Sequence, residues 1–511
     1  MNTKMIRYIL AKMLGVEAIL LLLPALVSLI YGEFSGVYFL IPSGILIVIY
    51  LLVGMKKPEK RTIYGKEGMV IVASAWILWS LFGALPFTIS GSIPSYLDAF
   101  FETVSGFTTT GSSILTDVEA LPQGMLFWRS FTHWIGGMGV LVFVMVLTTL
   151  DKKNSMYLMR AEVPGPEKDK LVPRTMSTAR ILYGMYLGLT LIEVILLLLG
   201  GMNMFDSLIH AFGTAGTGGF SNYAASVGHF DSAYIDGVIS IFMILFGVNF
   251  NLYFFLLIRD FKPVWKNEEL RAYLGIILAA VAVITLNISG QYPNPLKAFR
   301  YALFQVASII TTTGYATADY NAWPMLSQCI LLMLMVIGAC ASSTGGGIKV
   351  SRFLMVLKCI KREIKQMVHP KSISIIRVND KKMGADVLRS LYVYLMAYAG
   401  IVVGSVLIVS IDNLDFGTTF SSVLATLNNI GPGIADVGPV GSFAEFSPLS
   451  KIVFCFDMLA GRLEIFPFLQ FGLSNFLADH VNDCHHHQQK YNKKPGVGRV
   501  DVECGQSNIV V

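Results

Sequence analysis

The chain of 511 residues is strongly apolar: 54% of its residues are hydrophobic, only 14% are charged, and the mean hydropathy is +0.62. Soluble domains carry about a quarter charged residues, so this composition excludes an ordinary soluble protein and indicates a polytopic membrane protein. The formal net charge of +6 is no evidence for nucleic-acid binding, because Lys and Arg in such chains mark the loops that face the cytoplasm.

Two apolar runs, Tyr8–Tyr31 and Val37–Gly54, open the chain. The first is long enough to cross about 30 Å of hydrocarbon, and the second is just long enough. Residues 1–12 are basic and then apolar with no small-residue cleavage site, which indicates a retained signal anchor. A basic segment follows the second run, with Lys56, Lys57, Lys60, Arg61 and Lys66. We therefore expect an accessory two-helix hairpin over residues 1–67, with the N-terminus in the cytoplasm.

After the hairpin, one pattern occurs four times: an apolar span, a half-length apolar segment, a short strip ending in glycine, and a second span. The half-length segments are Tyr96–Phe107, Phe205–Gly216, Leu296–Thr311 and Phe416–Leu427. The strips are Thr109-Thr110-Gly111, Thr217-Gly218-Gly219, Thr312-Thr313-Gly314 and Asn429-Ile430-Gly431. Non-helical backbone at membrane depth is tolerated only inside protein or along a water-filled path, so this pattern predicts re-entrant pore loops.

The full-length spans flank these segments. The first spans are expected at Met69–Ser90, Ile181–Gly201, Tyr273–Ile288 and Val387–Ile411, and the second at Phe127–Leu150, Ile235–Ile258, Met325 to about Gln366, and Leu449–Phe471. The repeats then cover residues 68–180, 181–271, 272–386 and 387–477. The predicted fold class is an all-α polytopic membrane protein with four such repeats around one pore, preceded by the hairpin. Most acidic residues, Glu102 among them, fall in segments predicted outside, and most basic residues in segments predicted cytoplasmic.

A second glycine-rich stretch, residues 339–349, interrupts the second span of the third repeat. Gly345, Gly346 and Gly347 stand in a row, and each costs a helix about 1 kcal/mol relative to alanine, so we expect a break. Close helix packing through small residues is the alternative. We favour a flexible intramembrane loop that gates the pore below the strips. Lys349 at its end either touches the permeation path or marks the cytoplasmic boundary.

Charged residues within apolar spans are costly and usually face the protein interior or a pore. Arg462 lies in the apolar run Ile452–Phe471, and positions i and i+2 do not face each other on a helix, so pairing with Glu464 is disfavoured. We interpret Arg462 as a positive constriction beneath the strips, with a structural ion pair as the alternative. Arg129 and His133, at the outer start of a span, are interpreted as interfacial anchors.

The strips and three further motifs resemble the Trk/Ktr/HKT superfamily of potassium transporters, and the bacterial TrkH type most closely. The motifs are Trp128-Arg129-Ser130 with His133–Gly139, Ser342–Lys349, and Ala460–Glu464. The resemblance covers residues 1–470. It implies potassium selectivity, since all four strips carry the glycine that some members replace by serine in the first strip. It also implies a homodimer in the bilayer and a TrkA-like cytosolic regulatory ring that binds nucleotide.

The expected function is potassium uptake across the bacterial cytoplasmic (inner) membrane. Glycine lets successive C=O groups turn toward one axis, and such oxygens replace the hydration shell of the ion. We expect potassium at Thr110, Gly111, Gly218, Gly219, Thr313, Gly314, Ile430 and Gly431. No Walker or dinucleotide fingerprint occurs, so no cofactor is expected on this chain. Channel-like flow and ion-coupled symport both stay open.

Two other functions are alternatives to potassium uptake. A secondary transporter of another solute, coupled to sodium or protons, predicts one or two broken helices rather than four strips in register. An intramembrane enzyme needs a paired-carboxylate, HExxH or GxSxG constellation, and the spans have none, so the chain is predicted not to be an enzyme. The polar tail, residues 478–511, is expected to be disordered.

Overall fold

The computed structural model describes residues 2–139 and 175–465, apart from residues 57, 60–62, 64, 371, 373, 374 and 380. The predicted all-α membrane fold is confirmed. Within the described residues, the only strands are the antiparallel pair β1 (Arg377–Val378) and β2 (Lys381–Lys382). Residues 140–174 and 466–511 lie outside the described residues, and with them the ends of the spans predicted at Phe127–Leu150 and Leu449–Phe471 and the tail 478–511.

Two apolar helical segments open the chain, as expected. Helices α1 (Thr3–Leu20) and α2 (Leu22–Ile30) together form an apolar segment of 28 residues. A 3-10 turn at Phe34–Gly36 leads into α3 (Val37–Ile49), which continues as a π turn at Tyr50–Gly54. The carboxylate of Glu33, between them, accepts a hydrogen bond of 2.8 Å from the N–H of Gln123, and this contact ties the hairpin to the first repeat.

Fifteen further α-helices follow the hairpin in the described part of the chain. In chain order they are α4 (Gly65–Ile89), α5 (Tyr96–Phe107), α6 (Gln123–Gly137), α7 (Thr175–Leu199), α8 (Met204–Gly216), α9 (Ala233–Phe246), α10 (Phe250–Leu257), α11 (Lys262–Lys266), α12 (Glu268–Ile288), α13 (Pro295–Ile310), α14 (Met325–Ile337), α15 (Val350–Val368), α16 (Ala385–Val409), α17 (Phe416–Leu427) and α18 (Pro448–Arg462). In the described part of the chain, six helical segments are long and apolar enough to cross a membrane, and the bent pair α9–α10 makes a seventh.

The half-length helices α5, α8, α13 and α17 each begin at a side-chain cap. The caps are Ser95, Asn203, Asn294 and Asp415, whose side-chain oxygens accept hydrogen bonds from backbone N–H groups of the first turn. Such caps satisfy donors that have no partner inside the helix. Each helix therefore starts at a defined residue and ends directly before its glycine strip.

Packing between repeats closes the bundle on itself. Helix α8 packs against α6, α13 against α9, and α17 against α14, so each half-length helix contacts the second helix of the preceding repeat. The first half-length helix, α5, packs in the same way against α18 of the last repeat. These contacts form a closed cycle among the half-length helices and their neighbours.

The second span of the second repeat is not continuous, so the prediction of one helix over Ile235–Ile258 is wrong. Helices α9 and α10 meet at an angle of 94°. The break is stabilised because Asn249 caps α10, accepting from Asn251 N–H at 3.0 Å. The sequence does not reveal this break, because the apolar pattern continues through Gly247–Asn249. The groups that hydrogen-bond to the broken backbone are distant in sequence.

The partners at this break come from the third repeat. The Gly247 carbonyl accepts from the N–H of Cys340, and the N–H of Phe250 donates to the carbonyl of Ser342, both at 3.1 Å. Both partners lie in residues 338–349, between α14 and α15, which form a non-helical segment where the glycines predicted a break. This 338–349 loop therefore lies between the second spans of the second and third repeats.

Candidate functional site

The four glycine strips meet in a closed ring. Each strip glycine lies so close to the next strip that an added Cβ would crowd a carbonyl oxygen there. That oxygen belongs to the residue just before the next strip's glycine. The pairs of glycine and crowded carbonyl are Gly111 and Gly218, Gly219 and Thr313, Gly314 and Ile430, and Gly431 and Thr110. The order of contacts runs through repeats one, two, three and four and returns to one. Only a residue without a side chain permits this approach.

All four strips share one backbone conformation. The residue two positions before the glycine has a positive φ in every strip: 56° at Thr109, 56° at Thr217, 60° at Thr312 and 55° at Asn429. The glycines Gly111, Gly219, Gly314 and Gly431 have φ values of 84°, 79°, 85° and 95°. A left-handed conformation is costly for a threonine and persists only where the surroundings enforce it. The ring therefore has fourfold backbone geometry although its side chains differ.

Side chains of the first, third and fourth strips brace the ring. The hydroxyls of Thr108 and Thr110 lie 2.7 Å apart, and those of Thr311 and Thr313 lie 2.8 Å apart. Asn429 links the fourth strip to the first, because its Nδ2 donates to Thr110 Oγ1 at 2.9 Å. These hydroxyls and amides are buried, so the hydrogen bonds hold the strips in register.

Arg129 lies beside the ring and is 4% exposed. Its Nε is 2.5 Å from the Glu102 carboxylate, its Nη1 donates to the carbonyl of Ser221 at 2.9 Å, and its guanidinium lies 3.6 Å from the Phe220 ring centroid. His133 is fully buried, with Nδ1 2.7 Å from the carbonyl of Gly106. The prediction of interfacial anchors is therefore wrong.

The partner that brings Arg129 inside is Glu102, which the charge pattern of the sequence predicts on the outer surface but which is 1% exposed. Its carboxylate also accepts from the N–H of Ile114 at 3.0 Å and from the hydroxyl of Ser113 at 3.0 Å. A buried charge of this kind is tolerated only when it is paired and hydrogen-bonded. Arg129 and Glu102 thus connect α6, α5 and the segments that follow the first two strips.

Two further features distinguish the two sides of the ring. The C-terminal ends of all four half-length helices lie at the strips, so the partial negative charge of each helix end is directed there. On the side away from these helix ends, a cavity of 230 Å³ is lined by all four strip glycines, together with Ser112, Pro432 and Ser442. The ring therefore combines carbonyl oxygens and negative helix ends below an open mouth, which favours a cation.

The 338–349 loop lies directly against the strips. The N–H of Gly346 donates to Thr312 Oγ1 at 2.6 Å, and the N–H of Gly347 donates to the carbonyl of Asn428 at 3.1 Å. Lys349 is 3% exposed and its ammonium donates to the carbonyl of Gly345 in the same loop. The glycine-rich turn therefore closes against the third and fourth strips.

Arg462 holds this loop from the opposite side. Its guanidinium donates to the carbonyl of Thr344 at 2.8 Å and to the carbonyl of Gly137 at 2.7 Å. Glu464 forms an ion pair with Arg352 of α15. Arg462 therefore joins the loop to the end of α6, close beneath the ring.

Sequence reasoning missed Glu269 as a partner of the loop. Its Oε1 accepts from the N–H of Ala341 at 2.7 Å and from the N–H of Ser351 at 3.1 Å, so it ties the loop to the first turn of α15. The residue is 4% exposed. A glutamate in the first turn of α12 looks like an ordinary solvated residue at a helix start, and nothing in its neighbourhood in the sequence points to the loop.

In residues 2–139 and 175–465, outside the few masked positions, no group of three His, Cys, Asp or Glu side chains is placed to hold a metal ion. The strips are thus the candidate ion site, with oxygen atoms from the backbone rather than from carboxylates. Four half-length helices around such a ring, among helices long enough to cross a membrane, indicate an α-helical membrane transport protein.

The chain belongs to the TrkH family, described as cation transport proteins, whose family model matches residues 42–473. The predicted resemblance is therefore confirmed, and the chain is a transport protein and not an enzyme.

Individual relatives match over most of their length. The Trk system potassium uptake protein TrkH of Salmonella typhimurium is 38% identical over 455 residues, covering 88% of this chain and 94% of the relative. The Trk system potassium uptake protein TrkG of Escherichia coli is 34% identical over 454 residues, covering 87% and 92%. The crystal structure of the potassium transporter TrkH from Vibrio parahaemolyticus superimposes with a TM-score of 0.83 at 34% identity, covering 92% of this chain and 98% of that one.

Proposed function

We propose that this chain takes up potassium across the bacterial cytoplasmic membrane through the ring of four strips. The observation that carries the proposal is the cyclic contact in which each strip glycine faces a carbonyl oxygen of the next strip. The relatives named as potassium uptake proteins support the choice of ion. Potassium is bound by the backbone oxygens of Thr110, Gly111, Gly218, Gly219, Thr313, Gly314, Ile430 and Gly431.

Selectivity rests on replacing the hydration shell of the ion with carbonyl oxygens. The left-handed residue and the glycine in each strip set the spacing of these oxygens, and the hydroxyl pairs Thr108–Thr110 and Thr311–Thr313 hold it. The fourth strip, Asn429–Gly431, has a different sequence from the others. We therefore expect a clear but moderate preference for potassium over sodium. The membrane potential drives the ion inward.

Gating is assigned to the 338–349 loop with Lys349 and Arg462. In the present conformation, the loop is bonded to Thr312 and Asn428 above it and to Arg462 beside it. Each hydrogen bond contributes about 1 kcal/mol net, so a small number of them gives a barrier that a protein partner is able to shift. Movement of Gly345–Gly347 away from the strips then opens the path.

The proposed assembly includes a cytosolic regulatory ring and a second copy of the chain. The N-terminus and the basic segment on α15 face the cytoplasm, where a TrkA-like ring that senses nucleotide docks, and two copies of the chain form a homodimer. Lys361 and Lys365 on α15 are exposed and suit such a contact. Residues 1–67 form the accessory hairpin, and the pore repeats occupy residues 68–477. No structural observation favours a transporter of another solute.

The test is uptake of rubidium-86, a potassium surrogate, into proteoliposomes with the regulatory partner added. Unlabelled potassium or sodium competes in parallel arms. Gly314→Ser is compared with Gly188→Ser, because Gly188 lies on α7 with no atom within 4 Å of an added Cβ. We expect potassium to compete far better than sodium, and only Gly314→Ser to lose this difference. Equal selectivity in both variants contradicts the assignment of the ring.

A further inference from the structure

A cavity of 420 Å³ adjoins the 338–349 loop on the side of α10 and α11. It is bounded by the break before α10, by α11 and the start of α12, by Ala341 of the loop, and by the β1–β2 turn. Its lining includes the basic residues Lys262, Lys266 and Lys381 and the acidic residues Asp260 and Glu269. The cavity therefore carries a small positive excess, and it belongs neither to the ring nor to its mouth.

Three asparagines give this cavity an excess of hydrogen-bond donors. The Oδ1 atoms of Asn249, Asn267 and Asn379 each accept from a backbone N–H, at 3.0, 2.8 and 2.8 Å. An asparagine whose oxygen is used in this way has its Nδ2 amino group left to donate. Together with the exposed ammonium groups of Lys262 and Lys266, these donors suit an oxygen-rich anion such as a phosphate group.

The surroundings of the cavity fit the interface of a membrane. Helix α9 bends by 94° into α10, so if α9 runs along the membrane normal, α10 lies in the membrane plane. Leu257, Phe261 and Trp265 are 66%, 53% and 79% exposed beside the lysines. Exposed tryptophan and aliphatic side chains next to lysine are typical of the interface, where lysine attracts anionic headgroups.

The cavity is coupled to the loop through Glu269. This residue lines the cavity, and its Oε1 accepts from the N–H of Ala341 in the loop and from the N–H of Ser351 in the first turn of α15. A ligand that changes the position of α11 or the start of α12 therefore acts on the residue that fixes the loop.

We propose that this cavity binds the phosphate group of an anionic phospholipid, and that the bound lipid acts on the 338–349 loop through Glu269. The lipid is favoured over a soluble phosphate compound because the exposed apolar residues beside Lys262 and Lys266 provide contact for acyl chains. Binding itself is independent of the transported ion, whereas the effect on flux rests on the proposed function.

The experiment uses the full chain in nanodiscs and proteoliposomes of phosphatidylcholine with or without phosphatidylglycerol. Native mass spectrometry counts the phosphatidylglycerol molecules retained by wild type, by K262Q/K266Q and by K4Q/K56Q. The last variant removes two exposed lysines from the N-terminal hairpin that do not line the cavity. We expect wild type and K4Q/K56Q to retain one lipid that K262Q/K266Q loses, with roughly thirtyfold weaker binding for two lysines.

Equal retention in the three proteins overturns the site. Competition by glycerol phosphate as strong as that by phosphatidylglycerol overturns the lipid as its ligand. Rubidium uptake is measured in the same lipids, and the dependence of uptake on phosphatidylglycerol is expected to disappear in K262Q/K266Q alone. Retained lipid without any effect on uptake overturns the coupling to the loop, and absence of rubidium uptake in every lipid contradicts the proposed function while the binding result stands.

Discussion

The hydroxyl of Thr312 accepts a hydrogen bond from the backbone N–H of Gly346 at 2.6 Å. Thr312 is the left-handed residue of the third strip, with φ 60°, and Gly346 is the middle glycine of the 338–349 loop. Both are buried. This hydrogen bond joins the proposed filter directly to the proposed gate, so the Thr312 side chain bears on both ion selectivity and opening.

Replacement of Thr312 by valine tests this contact. Valine has the same branched shape, so the strain at this residue is conserved, but it leaves the Gly346 N–H without an acceptor. An unsatisfied buried N–H costs about 1–3 kcal/mol, which shifts a closed–open equilibrium by roughly five- to hundredfold. We expect faster rubidium uptake by Thr312→Val than by wild type in the absence of the regulatory partner.

The control is Thr285→Val, because within the described residues the buried Thr285 hydroxyl has no hydrogen-bond partner. Similar uptake in the two variants argues against a closed loop.

The four glycines are not equally crowded, which predicts an order of tolerance. A Cβ on Gly431 would lie 2.9 Å from the Thr110 carbonyl oxygen, whereas a Cβ on Gly111, Gly219 or Gly314 would overlap its neighbouring oxygen. In alanine variants at the four positions, we expect Gly431→Ala to retain the most potassium preference. Competition of rubidium uptake by sodium gives the measurement, and a Gly314→Ala protein that is more selective than Gly431→Ala would falsify the order.

Loss of the buried ion pair between Arg129 and Glu102 should lower the stability of the protein strongly. Both are buried, at 4% and 1% exposure, so Arg129→Gln leaves the Glu102 carboxylate without its charged partner. Removal of one member of a buried pair costs about 3–5 kcal/mol. We expect a marked fall in the temperature of unfolding, followed by intrinsic fluorescence. Arg389→Gln is the control, because its ion pair with Asp386 is exposed and should leave that temperature nearly unchanged.

Local signals in the sequence were sufficient to predict where two of the half-length helices begin and end. The bounds of α5 and α17 agree with the prediction at both ends, Tyr96–Phe107 and Phe416–Leu427. Each of these segments starts after a capping residue, Ser95 or Asp415, and ends where the strip begins. Capping chemistry and glycine position are properties of neighbouring residues, so one sequence contains them.

The errors concern contacts between residues that are far apart in the chain. Arg129 was placed at the interface because its buried partner, Glu102, is 27 residues away. The bend between α9 and α10 was missed because its backbone partners, Cys340 and Ser342, belong to another repeat. Apolar periodicity indicates that a segment is buried, and it does not show which distant group satisfies a charge or a free N–H.

The capping residue Asp415 should make the stability of α17, the fourth half-length helix, dependent on pH. Hydrogen bonds from the Thr418 hydroxyl and N–H hold the pKa of this exposed carboxyl below its ordinary value of 3.8. A depressed pKa stabilises the fold above the unfolded value, and this contribution is lost as the pH falls through the folded value. We expect Asp415→Ala to destabilise by about 1 kcal/mol at neutral pH. Thermal unfolding should also show the advantage of wild type over Asp415→Asn shrinking below pH 3.8. A difference that is constant with pH would show that ionised Asp415 contributes nothing.

Arg462 allows the charge beneath the ring to be separated from the hydrogen bonds that hold the loop. Its guanidinium reaches the Thr344 and Gly137 carbonyls together, at 2.8 and 2.7 Å, and a lysine ammonium lacks the planar fork that makes both contacts. Arg462→Lys conserves the charge, whereas Arg462→Gln removes it and conserves an amide donor.

If the charge limits the ion flux, uptake of rubidium rises several-fold in Arg462→Gln and stays near wild type in Arg462→Lys. If the loop contacts limit it, both variants rise, because each one weakens the bonds to Thr344 and Gly137. We expect the larger increase in Arg462→Gln, since a positive charge close beneath the ring repels a dehydrated cation in a medium of low dielectric constant. Uptake that is unchanged in both variants would remove Arg462 from the permeation path and leave it as a structural link between α6 and the loop.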